Sequence, residues 1–574
     1  MARHGRADAP LDVISIDGSL DPSSLDELLA AFSGYESALM TNDLEALDRY
    51  FAPGPTTLRG DPSALLVGHD RISAFRGLRG GLPRRTITEL HVRVVSPTAV
   101  LLVSVSVPVK GGSGLQTQLW QRMSRAASGS ALGESTAGDW VITAAHVHGA
   151  APALNGTIWR VVGNPLVPAL PAVVAEGVLD PDGLPVTVPQ PLTGMTVAVK
   201  DLYDVAGFAV GAGIPEFLAE APVATVDAPA VAALRAAGAA VQGIAQTDEF
   251  AYSIAGRNVH YGTPPNAAVP GAIPGGSSSG PASAVALGQA TIGLATDTAG
   301  SIRVPASYQG LWGIRTTHGA VSASGLWPLA PSFDTVGWLT RSAPALRAAT
   351  AASLDRAPGA GFEPMPSPGG SAAASLAARF VVSADLTASC APDVRAAFAA
   401  LVADPVFAEV EQVELGSLDE VFAAFRTVQG AEAWRQDGAW IEAHPGVLAM
   451  DVAERFDIAS EVTAQQESAA RDVLAAARAR FDEVLAGRIL LLPSASSAAP
   501  ALTASGEDIA VARSSTLRMT AVAGTGGYPA ISAPLMTVPA PGGTAPVGLC
   551  FVGPRGTDLD LIDVAAAVAE ALRS

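Results

Sequence analysis

Between Met195 and Asp297 three short apolar runs, MTVAVK, AAVQGIA and ATIGLATD, alternate with two Ala-rich stretches of helical character, DAPAVAALRAAG and GPASAVALGQA. Apolar runs this short and unbroken suit strands buried on both faces, and the intervening helices supply the layers that bury them. The alternation restricts this part of the chain to an α/β fold, a sheet with helices on its faces. Residues 451 to 488 are helical and more charged, as a covering layer outside the sheet would be.

A different pattern occupies the first 150 residues. Leu25, Leu28, Leu29, Phe32 and Leu39 fall at helical spacing, and Asn42-Asp43 is placed to cap a second helix bearing Leu44 and Leu47. Four runs that read as strands follow: HVRVV, AVLLVSVSVPV, LQTQLWQRM and DWVITAAHVH. Helices followed by a curved antiparallel sheet make a small α+β cone domain. Beyond it the chain turns Pro-rich and loses periodicity. The expected organisation is therefore a cone over 1–150, a linker or wrapping segment over 151–189, and a large α/β domain over 190–574. A chain of 574 residues exceeds the size at which one core keeps growing, which agrees with two domains.

Charge narrows the partners. A net charge of -19 repels nucleic acids and anionic membranes, so a small molecule is the expected ligand. The start of the chain, MARHGRADAPLDVISIDG, lacks the apolar run of a secretory signal, and a cytoplasmic location is expected. Cys390 and Cys550 are read as inert thiols. His146 and His148 alternate along a strand without carboxylate or cysteine company, so neither a metal nor another cofactor is expected. Lysine occurs only at Lys110 and Lys200, every other cationic side chain being arginine. Arginine stays protonated, whereas a desolvated lysine can lose its proton and act as a base. Lys200 ends an apolar strand and fits that role; Lys110 sits in an ordinary strand-to-loop context.

Two further segments can do chemistry. The run Gly275-Gly276-Ser277-Ser278-Ser279-Gly280 leads into an Ala-rich helix, so hydroxyls and free backbone N–H groups converge there. Thr298-Ala299-Gly300-Ser301 forms a tight turn after a buried strand and presents successive N–H groups beside a serine hydroxyl. Together with MTVAVKDLYDVAG around Lys200, these segments resemble the amidase signature family. The signature runs from Gly275 to Ser301 and on into Ile302-Arg303-Val304-Pro305, with Ser277 and Ser301 twenty-four positions apart. Flanking matches at TDEFAYS, YGTPPN, SFDTVGWLTRS, GTGGYPAISAP and APVGLCFVGPRGTDLDLI extend the likeness over nearly all of 190–574.

The resemblance implies a central mixed β-sheet surrounded by helices, and an amidohydrolase that cleaves a C–N bond without metal or organic cofactor. It implies Ser301 as nucleophile, Ser277 as a bridging serine behind a cis Gly276–Ser277 peptide, and Lys200 as the base of the proton relay. The backbone N–H groups of Thr298, Ala299, Gly300 and Ser301 would form the oxyanion hole, with Ser278, Asp297 and Arg303 in support. The chain has Ala299 and Ala295 where the family commonly has glycine, and a positive φ at position 299 would strain the turn.

A competing motif overlaps the signature. Gly276 to Gly280 also satisfies G-x-S-x-G, which would make Ser278 the nucleophile of an α/β-hydrolase, but a Pro-broken loop precedes it and His318 and His444 sit in no triad context. A second enzyme or a binding module at the N-terminus is an alternative of another class. GYESALMTNDLEALDRYF, TTLRG, VGHDRISAFR, QTQLWQRM and DWVITAAHVH resemble the AtzH-like branch of the SnoaL-like, nuclear-transport-factor-2-like cones. That likeness implies Tyr35, Arg59, His69 and Gln118 at the cone's mouth, Arg59 facing a carboxylate, and small carboxylated ureas as ligands. A domain that only shapes access to the amidase site is the plainer reading. Both resemblances imply a homodimer.

Overall fold

A computed structural model describes residues 13, 15–61, 64–79, 84–108, 114–123, 139–148, 155–179, 185–354 and 379–573. Lys110 lies outside the described residues. Backbone contacts divide the chain into two compact units, one of Met1–Ala153 with Gly163–Pro165 and Thr193–Met195, the other of the remainder.

The first unit opens with β1 (Ser15–Asp17) and α1 (Pro22–Thr41). Asp21 accepts from the Ser24 N–H at 2.9 Å and Pro22 stands in the first turn, both helix-starting devices; Asn42, left-handed at φ 55°, ends the helix. Asp43 then caps α2 (Leu44–Arg49). There follow β2 (Leu58–Asp61), β3 (Ala64–Val67), α3 (His69–Arg79), β4 (Arg85–Ser96), β5 (Ala99–Pro108), β6 (Gly114–Met123) and β7 (Asp139–His148). The seven strands form one sheet in the order β1-β4-β5-β6-β7-β2-β3. One core joins helices and sheet through Leu28, Phe32, Leu39, Phe51, Trp120 and Ile142, all at most 4% exposed. The strands β1, β2 and β3 go beyond the sequence reading, because runs of three or four residues are too short for a periodicity to register, and helix α3 goes beyond it because HDRISAFRGLR is mostly polar with few apolar positions to set a period.

The second unit carries an eleven-stranded mixed sheet. Its elements begin with β8 (Trp159–Val167), β9 (Val174–Leu179), β10 (Pro185–Thr187), β11 (Thr196–Lys200), α4 (Pro215–Glu220), α5 (Pro229–Ala236), β12 (Ala240–Ala245), α6 (Ser279–Ala286), β13 (Ile292–Asp297), α7 (Arg303–Gln309), β14 (Trp312–Arg315), β15 (Thr335–Thr340) and α8 (Ala343–Ser353). After these come β16 (Phe380–Val382), α9 (Ala384–Thr387), α10 (Pro392–Val402), β17 (Val410–Gln412), α11 (Leu418–Ala443), α12 (Met450–Ser460) and α13 (Ala464–Leu485). The unit closes with β18 (Ile489–Pro493), α14 (Gly506–Gly526), β19 (Ala530–Ala540), β20 (Gly543–Val552) and α15 (Asp558–Ala571). The strand order is β17-β16-β18-β20-β19-β14-β15-β13-β11-β12-β8. This is the α/β architecture the alternating runs imply.

One stretch departs from the sequence reading. The segment read as a linker or wrapping segment over 151–189 contains β8, which pairs antiparallel with β12 at the sheet edge, and the small hairpin β9–β10. An edge strand needs neither alternation nor freedom from proline, since one side of its backbone makes no ladder bonds, so WRVVGNPLV gives a weak signal.

Candidate active site

Strands β11 and β13 lie side by side and parallel, so Lys200 and Asp297, their last residues, reach the same edge of the sheet. Carboxyl ends of parallel strands are where an open α/β sheet presents a crevice. The Gly275–Ser278 loop enters the same place. The Lys200 Nζ donates to Ser277 Oγ at 2.8 Å and to Thr296 Oγ1 at 2.7 Å. The Ser278 N–H donates to the Ser301 carbonyl at 3.3 Å and the Ser278 hydroxyl to the Thr296 carbonyl at 3.3 Å. Three segments distant in sequence are thereby held against one another. Lys200, Ser277 and Ser278 are fully buried, and Ser301 is 4% exposed.

The loop before α6 is fixed from beneath. The Gly276–Ser277 peptide is cis, and the Ser277 carbonyl accepts from Thr247 Oγ1 at 3.0 Å and from the Asp248 N–H at 3.3 Å. Gly275 adopts φ +76° with an added Cβ only 2.8 Å from Pro305 Cα, so glycine is required both by conformation and by space. Asp248 receives the Gly256 N–H at 2.9 Å and the Ser279 hydroxyl at 3.2 Å, and burial raises its carboxyl to about 6.

Asp297 organises the turn that carries Ser301. Its carboxylate accepts from the Gly300 N–H at 2.8 Å, the Ile302 N–H at 3.1 Å and the Arg303 guanidinium at 2.9 and 3.0 Å. Arg315 donates to the same carboxylate at 3.3 Å and also to the Thr298 and Phe333 carbonyls. Burial alone would raise the Asp297 carboxyl, but Arg303 and Arg315 outweigh it and hold it well below the usual carboxylate range. The Thr298 hydroxyl donates to Asp334 at 2.6 Å, and Thr520 of α14 donates to the Ala299 carbonyl. The positive φ in this turn, +129°, falls on Gly300, while Ala299 is absent from the left-handed non-glycine residues, so alanine is tolerated there. One expected oxyanion donor is already engaged: the Gly300 N–H belongs to Asp297.

Burial also sets the state of the lysine. Desolvation lowers the Lys200 ammonium to about 7, against the opposing pull of Asp248, Asp334 and Asp297. An amine with that value exists in both forms at neutral pH and can take up and return a proton. Sequence reasoning missed Thr296, Arg315, Asp334 and Thr520. Thr296 is the threonine of the signature's Thr-Asp pair and was within reach; the other three come from strands, loops and helices further along the chain.

The competing constellations do not assemble. His318 bonds the Pro331 carbonyl and His444 bonds Glu220 and the Trp440 carbonyl, so neither serves Ser278. No group of three or more His, Cys, Asp or Glu able to hold a metal occurs among the described residues. Cys390 and Cys550 are buried free thiols, raised to about 11 by burial.

A family model described as Amidase matches residues 186–562. The chain belongs to the amidase family. A second model, AtzH-like, matches residues 19–150 of this amidase-family chain. Amidase 1 of Arabidopsis thaliana is 52% identical over 159 residues, which is 28% of the chain and 37% of that protein. The aligned part thus spans about a third of that relative's length. The 2-amino-5-chloromuconic acid deaminase of Comamonas testosteroni is 35% identical over 393 residues, 66% of the chain and 81% of the deaminase. Among solved structures, one reported as the crystal structure of an amidase superposes with a TM-score of 0.58 at 30% identity, covering 67% of the chain and 86% of its own.

In the cone, Tyr35 is buried in an aromatic group with Tyr50, Phe51 and Trp120. Gln118 is 1% exposed and accepts from the Trp120 indole at 3.1 Å, while its Nε2 finds no protein acceptor among the described residues. The Arg59 guanidinium donates to Asp61 at 2.8 Å and lies over the Phe75 ring at 4.6 Å. His69 opens α3 and bonds the Asp48 carbonyl at 3.2 Å. No helix among the described residues is long and apolar enough to cross a membrane.

Proposed function

We propose that this chain is an amidohydrolase whose second unit cleaves the C–N bond of a small amide, urea or carbamate through an ester on Ser301. The observation that carries the reading is the fully buried Lys200, bonded to Ser277 at 2.8 Å with its ammonium lowered to about 7. Ser301 Oγ attacks the carbonyl carbon as its proton passes to Ser277 and the Ser277 proton passes to neutral Lys200. The N–H groups of Thr298, Ala299 and Ser301 receive the developing oxyanion. The same path returns the proton to the leaving nitrogen, the amine departs, and water releases the acid by the reverse relay. In this reading 190–574 is the catalytic domain and the chain acts as a cytoplasmic homodimer without nucleic acid, membrane or cofactor.

Fluorophosphonate labelling with peptide mapping tests the reading. Label on Ser301 that disappears in Lys200→Ala is the expected result; label on Ser278 instead would overturn it. A second reading concerns the cone. The unpartnered Gln118 Nε2 and the buried Arg76, which acts on the same aromatic group as Tyr35, favour a pocket for a small carboxylated urea. A selective loss of binding of such a compound in Arg59→Ala, read by calorimetry, supports a ligand site; equal behaviour of wild type and variant leaves the cone architectural.

A further inference from the structure

Residues 151–185 lie between the AtzH-like and Amidase matches, yet part of them is built into the sheet that carries Lys200. Strand β8 pairs with β12, and β12 with β11, whose last residue is Lys200. Successive side chains of a strand point to opposite faces, so Trp159 and Arg160 serve different neighbours. On one face Trp159 and the preceding Ile158 share a core with Ala198 of β11 and Ala284 of α6, and the Trp159 indole donates to Gln289 at 2.7 Å. The Ile158 carbonyl accepts the Gln246 N–H at 2.8 Å. It lies where a Cβ on Gly280 would come within 2.7 Å of it, so the start of α6, just beyond Ser277, is fitted to this segment.

On the other face Arg160 meets the residue that follows Lys200. Its Nε stands 3.0 Å from Asp201 Oδ2, with the two side chains 11% and 1% exposed, and neither atom has a hydrogen-bond partner elsewhere among the described residues. The guanidinium also donates to the Ala209 carbonyl at 2.7 Å. Three further bonds hold Asp201: its N–H donates to the Ala245 carbonyl at 2.9 Å, its carbonyl accepts the Ala212 N–H at 3.0 Å, and Oδ1 accepts the Gly211 N–H at 3.0 Å. Gly211 fits against both members of the ion pair because it has no side chain, an added Cβ standing 2.4 Å from Asp201 Oδ2 and 3.4 Å from Arg160 Cδ. Burial raises the Asp201 carboxyl to about 7 even with Arg160 opposing the rise, so its charge depends on that guanidinium. The Lys200 carbonyl meanwhile accepts the Leu202 N–H at 2.7 Å, so the chain turns tightly here and a displaced Asp201 carries the Lys200 backbone with it.

We propose that Arg160 is a positioning residue for the proton relay: through Asp201 it fixes the turn that ends β11, and with it the reach of the Lys200 amine to Ser277. The inference rests on the amidase reading of Ser301 and adds to it a residue outside the Amidase match. An amine set 2.8 Å from Ser277 tolerates little displacement, because a shift of about 1 Å at a reacting group can cost about 100-fold in rate. Because Arg160 acts through Asp201, its effect falls on kcat rather than on KM.

The test is the rate constant for fluorophosphonate labelling of Ser301, measured on the full chain together with the fraction labelled at completion. Loss of folded protein lowers that fraction, whereas a misplaced Lys200 lowers the rate constant. Arg160→Met is expected to lower the rate constant roughly 10- to 100-fold at an undiminished labelled fraction, and Arg160→Lys to recover part of it. Asp201→Asn lowers it comparably, and the double variant lowers it no further than the deeper single one, since the two residues act as one unit. Where a single variant does not fold, the double variant, which leaves neither buried charge unpaired, carries the comparison with wild type. Arg235→Gln is the control: Arg235 ties the same segment to α5 through the Pro168 carbonyl at 3.0 Å, and its loss leaves the rate constant unchanged. A wild-type rate constant in Arg160→Met or in the double variant, additive losses in the double variant, or an equal drop in Arg235→Gln overturns the proposal. A wild type that takes no label at Ser301 overturns the amidase reading, and this inference with it.

Discussion

A single buried amine sets how this chain responds to pH. With Lys200 near 7, its neutral form gains as pH rises, so kcat/KM for an amide is expected to climb through pH 7 and level off above it. Thr296 accepts a hydrogen bond from the ammonium, and removing that acceptor in Thr296→Val disfavours the charged form further. The acidic limb of the profile then moves below 7 while the plateau falls by roughly tenfold, since the amine also loses its orientation. A pH–rate profile of both proteins checks this. Stability follows the same group: its folded value lies near 7 against 10.5 for a free lysine, so the unfolded chain binds more protons between those limits. Stability therefore gains as pH rises across that window and is lost as pH falls back, by up to about 1.4 kcal/mol per pH unit. Urea denaturation of wild type against Lys200→Met at several pH values isolates that slope.

At the scale of elements, the turn that carries Ser301 depends on how β13, α7, β14 and α14 are tied together. Asp297 at the end of β13 holds the guanidiniums of Arg303 from α7 and Arg315 from β14, all three fully buried. Asp297→Asn strands two buried cations and is expected to cost about 3–5 kcal/mol, read as a lower urea midpoint. Gly275→Ala attacks the neighbouring loop, placing a Cβ 2.8 Å from Pro305 Cα at a φ of +76°. Fluorophosphonate labelling of Ser301 is expected to fall sharply in that variant even where the fold survives. The strands and helices flanking these turns were legible because each repeats one pattern. The ties between them were not, since Arg315 and Thr520 look like ordinary strand and helix residues until the sheet is assembled.

The whole molecule consists of two units, each with its own core. Phe32 is fully buried in the cone, and Phe32→Ala is expected to destabilise it by about 3–5 kcal/mol. Calorimetry of the full chain should show two transitions, with only one displaced in that variant.

The sequence by itself determined the α/β class, the first two helices and the long strands of the cone, and the Gly/Ser, Lys200 and Ser301 segments, because each rests on local spacing or on a resemblance spread along the chain. Tertiary structure alone decided the Lys200–Ser277–Thr296 contacts, the diversion of the Gly300 N–H to Asp297, and the pairing of Arg59 with Asp61. Residues 415 to 520 carry no chemical pattern when read in order, because Thr520 meets the Ala299 carbonyl only where α14 packs beside the Ser301 turn. Burial and pairing are properties of neighbours brought together by folding, and it is they that fix a lysine's proton affinity or commit an arginine to a partner.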